Sequence, residues 1–160
     1  MNTVEELDAI DRRILRALQS NGRATYDELA AQVSLSPSAT LRRVKRLEEI
    51  KVISRYAALI DASRVGLGLN AYINVRLEKH AGGQKRSPMD HFKAAVQTWP
   101  EVVDCAALTG DMDYLLRVVV ADMAHYSRFI SETLLRNSSV QDCRSSFVLD
   151  QVKHTTAVPL

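Results

Sequence analysis

The chain has 160 residues, enough for one domain or two small ones. Its apolar content of 46% excludes wholesale disorder, and a net charge of +2 excludes a uniformly basic coat. Residues 114–120 are apolar but broken by Arg117 and too short for a bilayer, and the acidic start leads to no apolar segment of a secretory signal. A cytoplasmic location with no membrane partner is the expectation.

Residues 8–20 place Ile10, Ile14, Leu15 and Leu18 on one helical face, with Asp11, Arg12, Arg13 and Arg16 outside that stripe. Asn21-Gly22 stops this helix. Thr25 and Glu28 form a capping box that opens a second short helix through Leu29, Ala30 and Val33. After the turn Ser34-Leu35-Ser36, Ser36 caps a third helix, and Pro37 takes its first position, where no N–H is needed. Leu41, Val44 and Leu47 are its buried stripe, which leaves Arg42, Arg43, Lys45 and Arg46 on the other faces. Four like charges within five residues repel one another and call for an anionic partner. Between Leu35 and Arg55 there are six Lys/Arg against two Asp/Glu, so the excess is focused on one segment. Three helices with a tight turn before the third predict a helix-turn-helix, whose second element enters the DNA major groove. Residues 52–60 shorten their period to that of a strand, a wing, so residues 1–60 read as a winged helix-turn-helix DNA-binding domain. Ser36, Ser38 and Thr40 stand at the helix N-terminus, which favours phosphate, and with Arg42, Arg43, Lys45 and Arg46 they form the expected DNA-binding set.

Residues 61–69 carry Gly66 and Gly68 and read as a linker, stiffened by Val65, Leu67 and Leu69. Ala71, Ile73, Val75 and Leu77 alternate with polar residues as a half-buried strand, and residues 80–86 form a polar loop. Ser87-Pro88 opens a helix with Phe92, Ala95, Val96 and Trp99. Strands follow at 102–108 and 114–120, with a turn at 109–113 between them. Asp122 caps a helix carrying Met123, Tyr126, Phe129, Ile130 and Leu134, and the final strand covers 140–152. The order βαββαβ predicts a ferredoxin-like sheet and an α+β protein overall, with residues 70–160, tail included, as the second domain. Val102-Val103-Asp104-Cys105 recurs as Val140-Gln141-Asp142-Cys143, a faint repeat that places the cysteines on opposite edge strands, unable to bond. Ile73, Val75, Val103, Cys105, Phe147 and Leu149 form the apolar face expected under the helices. The other face mixes Arg76, Asp104, Ala106, Leu108, Arg117, Val119, Arg144 and Val148 and could serve a homodimer, since two-fold contacts must be self-complementary.

The four histidines are scattered, which argues against a metal site, and no catalytic triad or phosphate-binding glycine loop can be placed. Thr109-Gly110-Asp111-Met112-Asp113 reads as a tight turn; alternatively its backbone N–H groups meet a ligand carboxylate while Asp111 or Asp113 meets an ammonium.

Leu7-Asp8-Ala9-Ile10-Asp11-Arg12-Arg13-Ile14-Leu15, Leu35-Ser36-Pro37-Ser38 and Arg42-Arg43-Val44-Lys45-Arg46-Leu47-Glu48 resemble the DNA-binding half of the Lrp/AsnC (feast-famine) transcriptional regulators. Thr109-Gly110-Asp111-Met112-Asp113-Tyr114-Leu115-Leu116 resembles that family's C-terminal signature, and Glu132-Thr133-Leu134-Leu135-Arg136 its second. The resemblance implies a nucleoid-associated regulator binding double-stranded DNA, with no cofactor but with a free amino acid as effector. It further implies homodimers joined through the C-terminal sheets and assembled into tetramers or octamers. The effector crevice between dimers would take Leu108, Thr109, Gly110, Asp111 and Asp113 from one subunit. Leu134, Asn137, Ser138, Ser139 and Val140 would come from another, with Asn137-Ser138-Ser139-Val140 standing where many relatives have Leu-Pro-Gly-Val. With no charge expected near its side-chain end, an apolar effector such as leucine or methionine is predicted. Two alternatives share the architecture: an effector-independent nucleoid protein, and a porphyrin-decarboxylating enzyme, which need not keep a basic DNA-reading helix.

Overall fold

Local capping sets where each helix of the N-terminal region begins. In the computed structural model, which describes residues 6–79 and 87–160, α1 spans Ala9–Ser20, α2 Tyr26–Val33 and α3 Pro37–Glu49. Asp8 caps α1 by accepting from the Asp11 N–H at 2.7 Å, and Asp11 returns the bond to the Asp8 N–H at 3.3 Å. Thr25 and Glu28 close the anticipated box on α2, while Ser36 accepts from the Ala39 N–H and Pro37 opens α3. Between α2 and α3 the chain turns on Ser34, whose φ of 58° is left-handed and lets the Leu35 N–H reach the Ala30 carbonyl. Ile14, Leu15, Leu29, Val33, Val44 and Leu47 are buried together as one core.

Three expectations for this region are corrected. Asp11, placed outside the apolar stripe, is fully buried, because its carboxylate is bonded to α3 rather than to water. Thr40, not Leu41, shares the buried face of α3 with Val44 and Leu47. The wing is absent: residues 52–61 form neither strand nor helix, and Tyr56, Leu59 and Ile60 are exposed. A period of two extends the backbone, but a strand also needs a neighbouring strand to bond, and none among the described residues pairs with this segment.

The chain divides into two units, one running to Leu59 and including Lys153–Leu160, the other Ile60–Val152. The tail, grouped above with residues 70–160, therefore packs with the helix-turn-helix. Leu160 joins that core, and the α1 side chain of Gln19 brackets Val158, accepting from its N–H at 2.6 Å and donating to its carbonyl at 3.1 Å. Arg16 Nε donates to the Leu160 main-chain oxygen at 2.9 Å. Gln19→Ala should therefore speed hydrogen exchange at Val158 markedly while leaving the α3 amides unchanged. Equal exchange in both proteins would contradict the docking.

The second unit is a four-stranded antiparallel sheet in the order β2-β3-β1-β4, with β1 Leu69–Leu77, β2 Val102–Ala107, β3 Tyr114–Val120 and β4 Val140–Phe147. Helices α4 (Pro88–Val96) and α5 (Met123–Arg128) follow β1 and β3, giving the expected βαββαβ order; the loop expected at 80–86 lies outside the described residues. Ile73, Val75, Leu116 and Val118 from the two central strands pack under Phe92, Phe129 and Leu134 from the helices. Past Arg128 the helix widens into a π turn, Phe129–Leu134, with the Leu135 N–H bonded to the Ile130 carbonyl. The wider turn brings Phe129 and Leu134, five residues apart, to the same buried side.

The strand ends differ from expectation wherever pairing stops. A bulge between Val102 and Asp104 rotates Val103 off the apolar face, leaving it 54% exposed. β4 ends at Phe147, not 152, since the Val148 N–H makes the last bond to β1, at Asn70, and Leu149 is wholly exposed. β2 likewise stops at Ala107 rather than 108. In the linker, a 3-10 turn (Ala62–Val65) ends on Gly66 at φ 81°; Leu69 packs on the sheet core, whereas Val65 and Leu67 are exposed. Cys105 and Cys143 are free thiols on the two edge strands.

Candidate functional site

Helix α3 carries the cations, and rotation of 3.6 residues per turn sorts them. Ser38, Arg42, Lys45 and Arg46 are exposed and share one outward surface with Glu49. Arg43 is turned to the flank facing α1, where it bonds Asp8 at 2.7 Å and Asp11 at 2.9 Å. Arg46 lies at the edge between these two directions and reaches the second Asp11 oxygen at 2.5 Å. The Asp11 N–H and the Arg43 guanidinium hold the Asp8 carboxyl down to about 2, and those carboxylates push Arg43 up. Of the expected phosphate contacts, Ser36 and Ser38 are exposed at the helix start, their hydroxyls 3.2 Å apart and that of Ser36 also capping the Ala39 N–H. Thr40 does not: it is buried and its hydroxyl donates to the Ser36 carbonyl at 3.0 Å.

A second site forms where β1 ends. The pairing of β1 with β3 ends at Val75–Tyr114, so the Leu77 N–H, which faces β3, has no ladder partner there and donates to Asp113 Oδ2 at 2.7 Å. The next residue, Glu78, donates its N–H to the Ser139 carbonyl at 2.9 Å. One end of β1 is thus flanked by both segments singled out above, 108–113 and 134–140, within a single chain. The turn at 109–113 is closed by the Leu108 N–H on the Asp113 carbonyl, and Gly110 sits at φ 114°, a conformation that a side chain would strain. Leu108, Thr109, Gly110 and Asp111 are exposed, and the Asp111 carboxylate accepts no hydrogen bond from the described residues.

Other expected members are engaged elsewhere. Leu134 is fully buried in the sheet core, so it cannot line an open crevice. Ser139 is 4% exposed with its hydroxyl 2.9 Å from His91 Nδ1, and the Asn137 side-chain oxygen accepts from the Ser139 N–H. Ser138 is exposed and Val140 half-buried against the core. The cleft is lined by Arg76, Leu77, Glu78, Lys79, Pro88, Met89, Asp111, Asp113 and Gln141. Arg76 Nε donates to the Asp111 carbonyl at 3.2 Å. The site therefore contains charges that the sequence reading left out. Arg76 was assigned to the sheet face, and only its bond to the Asp111 carbonyl shows that it reaches the 109–113 loop.

Residues 7–48 match the AsnC-type helix-turn-helix domain, and residues 70–158 match the Lrp/AsnC ligand binding domain. The chain belongs to the Lrp/AsnC family. It is a DNA-binding transcriptional regulator of that family rather than an enzyme of the same architecture. The Bkd operon transcriptional regulator of Pseudomonas aeruginosa is 41% identical over 155 residues, covering 97% of this chain and 99% of that protein. The leucine-responsive regulatory protein of Escherichia coli K12 is 38% identical, covering 94% of this chain and 90% of its own. A Neisseria meningitidis transcriptional regulator solved as a complex with L-Met superposes with a TM-score of 0.91 at 47% identity, over 96% of this chain and 97% of that one. Among the described residues of this Lrp/AsnC protein, no helix is long and apolar enough to cross a membrane, and no cluster of three or more His, Cys, Asp or Glu could hold a metal.

Proposed function

We propose that this Lrp/AsnC regulator is a cytoplasmic, nucleoid-associated homodimer that senses a free apolar amino acid, methionine or leucine, without a cofactor. The observation that carries the reading is the unpaired Asp111 carboxylate on an exposed glycine turn, beside the Arg76 guanidinium and the apolar Met89 and Pro88. Asp111 suits an ammonium; Arg76 and the turn's N–H groups suit a carboxylate. Met89, 46% exposed, offers an apolar surface for the side chain. Asp113 serves the fold by holding the Leu77 N–H, so the ammonium role falls to Asp111 alone. The L-Met complex of the meningococcal relative favours the same ligand class.

A thermal-shift screen against the twenty amino acids should give its largest rise with methionine or leucine, since a ligand of the native state stabilises it. Asp111→Ala should abolish that rise with little change in the unliganded midpoint. A larger response to a charged amino acid, or an unaltered methionine response in Asp111→Ala, contradicts the reading.

The helix-free face of the sheet supports the homodimer, and assembly of dimers into tetramers or octamers belongs to the same proposal. Tyr72, Leu115, Arg117 and Val119 lie there, and the Arg117 Nε is buried with no hydrogen-bond partner among the described residues. Two-fold pairing on this face would present two recognition helices to successive half-sites. A fragment starting at Leu69 should sediment as a dimer at micromolar concentration; a monomer would exclude this surface.

A further inference from the structure

The four cations of α3 do not share one task. Arg43 and Arg46 converge on Asp11, whose side chain is 1% exposed and offers one oxygen to each arginine. Asp11 is itself held in place by the α1 capping box, where its Oδ2 accepts from the Asp8 N–H. Asp8 adds a second carboxylate on Arg43, so two negative and two positive charges offset each other on this flank. A phosphate approaching Arg43 would compete with carboxylates already at 2.7 and 2.9 Å, and it would meet the half-exposed Asp8. On the outward face Ser38, Arg42 and Lys45 have no carboxylate partner among the described residues, although Arg42 also borders the pocket lined by Glu6, Asp8 and Asp11.

We propose that Asp11 is a positioning residue for DNA recognition: it withholds Arg43 and Arg46 from the phosphate backbone and leaves readout to Ser38, Arg42 and Lys45. Phosphate contacts bind any sequence, whereas base-edge contacts discriminate. Withholding two arginines thus lowers non-specific affinity more than specific affinity. The acidic residue at the third position of α1 acts on specificity from a helix that need touch no base.

The test uses the full chain, a random-sequence duplex and an operator selected from a random pool, with affinities measured over a range of salt. Asp11→Asn keeps the shape and an oxygen for the capping box but releases the arginines. It is expected to bind the random duplex more tightly, with a salt slope steeper by about one to two, since each added phosphate contact contributes about 0.9. Its preference for the operator should shrink in parallel. A purely structural Asp11 would weaken binding to both duplexes and would not steepen the slope. A slope unchanged or shallower in a folded Asp11→Asn protein overturns the proposal.

A second comparison decides the matter even if that variant fails to fold. Arg43→Leu leaves the Arg46–Asp11 pair in place and should keep the wild-type salt slope on random DNA, while Arg42→Leu should lower it by about one or relax operator preference at a base pair. Equal losses of slope in the two variants overturn it.

Discussion

Arg43→Leu/Arg46→Leu should destabilise the helix-turn-helix by about 3–5 kcal/mol, the usual cost of stripping the partners from a buried charge. Asp11 is fully buried, and both arginines that neutralise it come from α3. With two leucines in their place its carboxylate would keep, among the described residues, only the Asp8 N–H at 3.3 Å. Either the charge stays buried at that cost or the start of α1 opens to water. Urea unfolding followed by circular dichroism measures the loss. Adding Asp11→Leu to the double variant should restore much of it, because an apolar trio replaces an unpaired charge. A double variant as stable as the wild type would show that burial of Asp11 does not depend on these arginines. Arg43→Leu alone leaves one pair intact and should cost far less, which is why it serves as a DNA-binding probe.

Phe92→Ala should cost the sheet unit about 3–5 kcal/mol, the range for deleting a buried aromatic side chain. Phe92 is fully buried on α4, with its ring 4.9 Å from Tyr114 on β3 and 5.7 Å, edge-on, from Trp99. Trp99 in turn meets Phe129 at 5.9 Å, so one deletion removes the centre of a four-ring cluster joining both helices to the sheet. Trp99 is the chain's single tryptophan, so its fluorescence should report the unfolding of this unit directly. Leu149→Ala is the matched control: wholly exposed, it should change stability by no more than about 0.5 kcal/mol. Similar losses in the two variants would contradict the placement of the core.

What reached the reading of the sequence was what three or four consecutive residues enforce by themselves. Thr25 with Glu28, Ser36 before Pro37, Ser87 before Pro88 and Asp122 at the start of α5 all cap helices as expected, because donor and acceptor lie within one turn. The alternation of Ala71, Ile73, Val75 and Leu77 identified the helix-covered side of β1 for a similar reason: neighbouring side chains on a strand must point opposite ways. The basic cluster on α3, and with it the DNA-binding role, was legible as charge that has no local counterpart.

The tertiary structure decided everything that depends on a partner far along the chain. Asp11 looks like a solvated acid until α3, more than thirty residues on, brings two arginines to it. Residues 52–60 have the pattern of a strand but no strand to bond among the described residues, while Val103 and Leu149 lose their expected places where a bulge or the last ladder bond intervenes. In the proposed ligand site, the turn at 109–113 was visible in Gly110 and the two aspartates that follow it. The proposed separation of roles between Asp111 and Asp113 was not, because it follows from the end of the β1–β3 ladder at Val75–Tyr114, which leaves the Leu77 N–H to the Asp113 carboxylate. Nor could composition show that the tail returns to α1, since Gln19 and Val158 are 139 residues apart. Capping and alternation cost the chain no long-range ordering, so they are written locally; burial of a charge, the end of a strand and the docking of a tail exist only once distant segments have met.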